Sequence, residues 1–137
     1  MQLSKSSQYA IRILAYMADN KDSKLMNATE LSKTLNIPYK YLTKLMTDIV
    51  KAGLVVSIRG RDGGYSFAKP PSEILVENIL EIFHDAIHDQ QCVLGIGFCN
   101  SACKCALHDQ WMEPKLLMQK MFRESTLEAI AGEGSKI

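Results

Sequence analysis

Apolar residues recur three and four positions apart from the start of the chain. Tyr9, Ala10, Ile13, Leu14 and Met17 hold that spacing and predict an amphipathic helix over residues 5–19. The polar stretch from Asn20 to Lys24 closes it. Asn27 is placed to cap a second helix, with Glu30 three residues on in the manner of a capping box. That helix runs to about Leu35, and Asn36 ends it. Pro38 suits the first turn of a third helix, where its missing N–H costs nothing. Tyr41, Leu42, Leu45, Ile49 and Val50 give this helix an apolar face, and Gly53 stands where a C-terminal cap belongs. Leu54–Ile58 and Tyr65–Ala68 then read as short strands. The loop between them, Arg59-Gly60-Arg61-Asp62-Gly63-Gly64, has hairpin chemistry, with the paired glycines expected to supply positive φ. Pro70 and Pro71 mark a boundary.

Beyond that boundary, Ile74, Leu75, Ile79, Leu80 and Ile82 or Phe83 predict a short connecting helix within residues 72–91. A cysteine-rich loop covers residues 92–108. A long helix is expected from about Trp111 to Ala131, with Pro114 in its first turn or else kinking it. Its apolar residues Leu117, Met118, Met121, Phe122, Leu127 and Ile130 cover more than one face, too much to lie bare on so small a chain. A second copy is the expected partner, and residues 132–137 read as a frayed tail. The fold class is mostly α with a small β-hairpin wing. It comprises a winged helix-turn-helix over residues 1–71 and a C-terminal dimerisation helix over residues 109–131.

The chain has 137 residues, of which 47% are hydrophobic and 23% charged, a globular balance. No apolar run approaches the roughly 20 residues that span a bilayer, and no signal peptide opens the chain. The expected location is the cytoplasm. The net charge of +1 hides an asymmetry: residues 1–70 hold 11 Lys and Arg against 5 Asp and Glu, a charge of +6, while residues 71–137 hold 5 against 10, a charge of −5. Only the front half therefore suits a polyanion.

The second helix of a helix-turn-helix enters the DNA major groove. Here that helix exposes Tyr39, Lys40, Thr43, Lys44 and Thr47 opposite its apolar face, a set suited to phosphate and some base-edge contacts. Arg59 and Arg61 flank Gly60 at the hairpin tip. Guanidinium groups so placed can reach the negative potential of an adjacent minor groove.

Leu3 through Ala10, Tyr41-Leu42 and the run A-G-L-V-x-S-x-R-G-x-x-G-G-Y from Ala52 to Tyr65 resemble the IscR/NsrR/RirA regulators, the Rrf2 family. The resemblance covers essentially the whole chain. It implies a homodimeric winged-helix protein that binds partly palindromic double-stranded operators. It also implies that Tyr41 and Thr43 lie on the recognition helix and that Arg59 reads DNA from the wing.

Cys92, Cys99, Cys103 and Cys105 fall close together with His108 after them, in the pattern C-x6-C-x3-C-x-C-x2-H. Such clustering in a cytosolic protein favours a metal site or redox chemistry over structural disulfides. Thiolates select iron–sulfur clusters, zinc or Cu(I), and zinc ranks lower because the paired C-x2-C knuckles are missing. The family resemblance implies cluster ligation by Cys92, Cys99 and Cys105. In its [2Fe–2S] branch a histidine placed like His108 completes the set. In its [4Fe–4S] branch the fourth ligand comes from the first helix of the other subunit, where this chain has Gln8, an amide and a poorer ligand. Cys103 is a further candidate, so [2Fe–2S] is favoured over [4Fe–4S] with the fourth ligand open. The competing reading is a reversible thiol switch without a cluster.

His84 and His88, four apart, read as surface polarity near a helix end. Trp111 is expected to pack the base of the long helix, and the methionines, Met112 included, to fill core rather than bind copper. The chain has no phosphate-cradling loop, no dinucleotide fingerprint and no nucleophile with an evident base. An enzyme with a small-molecule substrate is not expected.

Overall fold

The computed structural model describes residues 3–20, 25–88 and 91–132. Along them run α1 (Lys5–Asp19), α2 (Ala28–Leu35), α3 (Tyr39–Lys51), β1 (Val55–Ile58), β2 (Gly64–Phe67), α4 (Val76–Ile82), α5 (His108–Glu124) and α6 (Leu127–Ile130). A single 3-10 turn, Pro71–Glu73, precedes α4.

The first two helices begin at side chains that satisfy their open ends. Ser4 accepts from the Ser7 N–H at the start of α1, and Asn27 accepts from the Glu30 N–H at the start of α2. Asn36 closes α2 in the left-handed region at φ 53°, and Gly53 follows α3 at φ 82°. Arg12 of α1 donates to the Leu35 carbonyl at 2.9 Å, placing a cation at the negative end of α2. Ile13 and Leu14 of α1, Leu31 of α2 and Leu42 and Ile49 of α3 share one core. Burying each such side chain stabilises the fold by about 1.5–3 kcal/mol, so the three helices hold as a unit.

The wing is a two-stranded antiparallel ribbon running from Val55↔Phe67 to Ile58↔Gly64. Met26, just before α2, adds a third segment. Its N–H donates to Tyr65 at 3.2 Å and its carbonyl accepts from Tyr65 at 2.8 Å, which fixes the wing to the helix-turn-helix. This pairing explains the glycines in a way the sequence did not suggest. A Cβ on Gly64 would lie 2.7 Å from the Met26 carbonyl oxygen, and one on Gly63 would lie 2.1 Å from that of Ile58. Positive φ falls instead on Gly60, at 120°. Gly63 and Gly64 serve close backbone approach.

The second half departs further from expectation. The prolines at 70–71 do not divide two cores, because Ile74 and Ile79 are buried together with α1, α2 and α3. The single helix expected over Trp111–Ala131 is two helices. α5 begins earlier, at His108, and Ser125 and Thr126 interrupt the chain in extended conformation. They pair with the segment before α4: Val76 N–H donates to Ser125 at 2.9 Å, and Leu127 N–H donates to Ile74 at 2.7 Å. Serine and threonine favour caps over helix interiors, and Thr126 caps α6 through the Ala129 N–H. Leu127, expected on the dimerisation helix, is therefore buried in the winged-helix core, and Ile130 packs on it. Pro114 lies in the second turn of α5 rather than the first, where it removes a helical donor. Most of the expected tail, residues 133–137, lies outside the described residues.

α5 packs on α4, and its Phe122 lies against the buried cluster of Val76, Leu80 and Ala86. Its buried stripe also holds Trp111, Lys115 and Gln119. Trp111 Nε1 donates to the Gln91 carbonyl at 3.3 Å and Gln119 Nε2 to the Ile87 carbonyl at 2.8 Å, strapping the segment after α4 to α5. Leu116, Leu117 and Met121 face outward, each more than half exposed at 55%, 61% and 52%. No helix among the described residues is long and apolar enough to cross a membrane.

Candidate nucleic-acid interface and cysteine site

α3 turns Leu42, Leu45, Met46 and Ile49 inward and leaves Tyr39, Lys40, Lys44 and Thr47 exposed, with Thr43 half-buried. Thr43 Oγ1 donates to the Lys40 carbonyl at 3.0 Å and Thr47 Oγ1 to the Thr43 carbonyl at 2.9 Å. With their protons bound to the helix, these hydroxyls present lone pairs and methyl groups outward. That set suits a base amino group or a thymine methyl rather than a phosphate. Lys40 and Lys44 are the exposed cations of this face.

Tyr41 is set differently from the other α3 candidates. Its hydroxyl lies 2.7 Å from Ser6 Oγ, and its ring meets Tyr9 edge-on with centroids 5.5 Å apart. The Lys5 and Arg12 cations lie 6.0 Å and 5.7 Å from the centre of the Tyr9 ring. Tyr41 thus joins α3 to α1. Arg59 and Arg61 are exposed at the wing tip and make no ion pair among the described residues.

Asp85, in the segment after α4, holds the start of α1, a role that the sequence did not suggest. Asp85 Oδ2 accepts from the Ser4 N–H at 2.9 Å and from Ser4 Oγ at 2.5 Å. Burial pushes its carboxyl up, but hydrogen bonds from Ser4 and Ser7, with nearby His84, outweigh this and leave it below the usual carboxylate range. A carboxylate there also complements the positive end of α1. His84 follows α4 at φ 59°, so His84 and His88 do not share a helix face.

In the cysteine loop all four thiols are free. Cys92 is buried. Backbone N–H groups of Ile96 and Leu94 hold its thiol below the ordinary range; burial opposes them, and the Cys105 side chain and Gly95 N–H assist. Donors gathered on one sulfur stabilise a thiolate and a metal-bound sulfur alike. Cys99 Sγ lies 3.4 Å from Nδ1 of His108, the buried first residue of α5, and 4.0 Å from Met112 Sδ. Cys103 is exposed. Gln8 donates to the Leu3 carbonyl of its own chain at 2.6 Å. Among the described residues no three of His, Cys, Asp and Glu gather into one metal site. Of the candidates, Cys99 and His108 stand within 3.4 Å of each other, and the Cys105 side chain is among the groups that lower the Cys92 thiol.

A family model described as iron-dependent transcriptional regulator, Rrf2, matches residues 3–133. The chain belongs to the Rrf2 family. A relative from Aquifex aeolicus, whose name places it among HTH-type transcriptional regulators, is 35% identical over 130 residues, covering 93% of this chain and 90% of its own. The HTH-type transcriptional regulator NsrR of Oceanobacillus iheyensis is 31% identical over 129 residues, 93% of this chain and 88% of its own. Among solved structures, CymR, the global cysteine regulator of B. subtilis, superposes with a TM-score of 0.80 at 23% identity over 96% of each chain. This Rrf2 chain is a DNA-binding transcriptional regulator of winged-helix fold and not an enzyme, as its sequence led us to expect.

Proposed function

We propose that this Rrf2 regulator binds double-stranded operator DNA as a homodimer and that a [2Fe–2S] cluster on Cys92, Cys99, Cys105 and His108 sets its affinity. One observation carries the cluster reading: Cys99 Sγ stands 3.4 Å from Nδ1 of His108, a thiol beside the imidazole expected as the fourth ligand. A [2Fe–2S] cluster asks for two protein ligands on each of two irons. The soft donor set and the N–H groups around Cys92 suit it. When bound, the cluster supplies one-electron redox chemistry and sensitivity to oxidants.

The chain's own contacts give such a site a route to DNA. Gln91, beside Cys92, is held by Trp111, and Ile87 by Gln119. Asp85, in the same segment, holds the start of α1, and α1 holds α3 through Ser6 and Tyr41. Ordering the loop therefore biases the setting of α3, and affinity changes by the difference in loop stability between the two settings. The outward Leu116, Leu117 and Met121 give the second copy an apolar face.

Titrating anaerobic protein with its own promoter fragment, cluster-loaded and cluster-free, tests the proposal. We expect affinities differing at least about ten-fold, or about 1.4 kcal/mol. Equal affinities would remove the cluster from control.

A thiol switch has its own support in the Cys92 thiol, which backbone N–H groups of Ile96 and Leu94, with help from the Cys105 side chain, hold below the ordinary range. Peroxide could join these two thiols as a disulfide, with both protons and both electrons leaving in two water molecules. Cys99→Ala would leave that switch intact and abolish the cluster.

A further inference from the structure

Met112 falls outside both readings. The sequence suggests a core filler, yet its sulfur is turned to Cys99, 4.0 Å away. His108 and Met112 stand one turn apart on α5 and so share a face. Cys99 reaches that face from the loop, 3.4 Å from His108 Nδ1. A thiol, an imidazole and a thioether thus converge from two elements.

We infer that the cluster-free chain holds one Cu(I) ion on Cys99, His108 and Met112. Ligands at about 2.0–2.3 Å around a three-coordinate ion lie about 3.5–4.0 Å from one another. Both measured separations, 3.4 Å and 4.0 Å, fall within a few tenths of an ångström of that range. The thioether decides the metal. Zinc takes thiolate, imidazole and carboxylate, whereas soft Cu(I) also takes methionine sulfur. His108 is buried and Cys99 and Met112 are half-buried, which limits access of water and favours a soft, weakly hydrated ion.

On binding, Cys99 loses its thiol proton to solvent and forms the copper–sulfur bond. His108 Nδ1 and Met112 Sδ each donate a lone pair, and copper stays Cu(I). This site does not rest on the cluster proposal. The two share Cys99 and His108, so copper and cluster exclude each other, but Met112 belongs to copper alone.

The test uses the full chain, reduced and anaerobic, titrated with Cu(I) against the chromophoric chelator bicinchoninate. The Cys92→Ser/Cys103→Ser/Cys105→Ser form removes competing thiols. It should take one Cu(I), with nitrogen and sulfur neighbours in copper X-ray absorption, and Met112→Leu added to it should weaken binding at least about ten-fold. No binding, a sulfur-only shell or an unchanged affinity with Met112→Leu would overturn the inference. Should the triple substitution lose its helical circular dichroism, the same titration of the parent chain and its Met112→Leu variant decides. Copper retained in competition must fall by one per chain in the variant, and equal retention overturns the inference. Met112→Leu should leave iron and sulfide incorporation at the parent's level, so failure of either proposal is recognisable without the other.

Discussion

Asp85 is the side chain on which the start of α1 depends, through Ser4 and Ser7. Asp85→Asn should lower stability near neutral pH by about 0.5–1 kcal/mol, the lower part of the capping range because the group is partly exposed. Its folded carboxyl titrates below the usual range, so its contribution is complete above the unfolded value of about 3.9 and is lost as pH falls through the folded one. Parent and variant melting curves measured at pH 7 and at about pH 3 should converge at the lower pH; a constant gap would contradict this. Gly63→Ala would push a methyl against the Ile58 carbonyl at 2.1 Å. It should cost about 1–3 kcal/mol and weaken operator binding, while circular dichroism keeps its helical signal. The caps at Asn27, Asn36 and Gly53 were legible in the sequence because each acts on its own helix. Asp85 and the orientation of Met112 were not, since Asp85 meets a residue 81 positions away and Met112 meets a loop cysteine 13 positions away.

Under the proposed function, α3 and the wing divide the work with DNA. Exposed Lys40, Lys44, Arg59 and Arg61 carry charge, while Thr43 and Thr47 present acceptors and methyls. Arg59→Ala and Arg61→Ala should each weaken operator binding, measured by fluorescence anisotropy across a salt series, and lower the salt slope by about one if the residue meets a phosphate. An unchanged slope together with relaxed sequence preference would assign that arginine to base reading instead. The elements up to β2 could be read from periodicity, since each hydrophobic face repeats locally. The break between α5 and α6 could not. Ser125 and Thr126 leave the helix to pair with Val76 and Leu75, about 50 positions back in sequence. An apolar count then assigned Leu127 to a dimer face when it belongs to the core.

For the molecule as a whole, a +6 front half and a −5 back half fit the proposed division between DNA binding and sensing. In the proposed dimer, the outward face of α5 meets the second copy. Leu117→Glu should convert dimer to monomer in sedimentation velocity and weaken operator binding, because two half-sites then engage independently. A monomeric parent chain would contradict the dimer. The cysteine spacing and the family pattern made candidate metal ligands legible in the sequence, but not the approach of Cys99 to His108, which the start of α5 at His108 produces.

The cluster is the central claim. Iron and acid-labile sulfide, with a visible spectrum, measured on anaerobically purified full chain test it most directly. The account predicts about two of each per chain, lost in Cys92→Ala, Cys99→Ala, Cys105→Ala and His108→Ala and kept in Cys103→Ala. A chain that takes up no iron on reconstitution, or loses it only with Cys103→Ala, would contradict it.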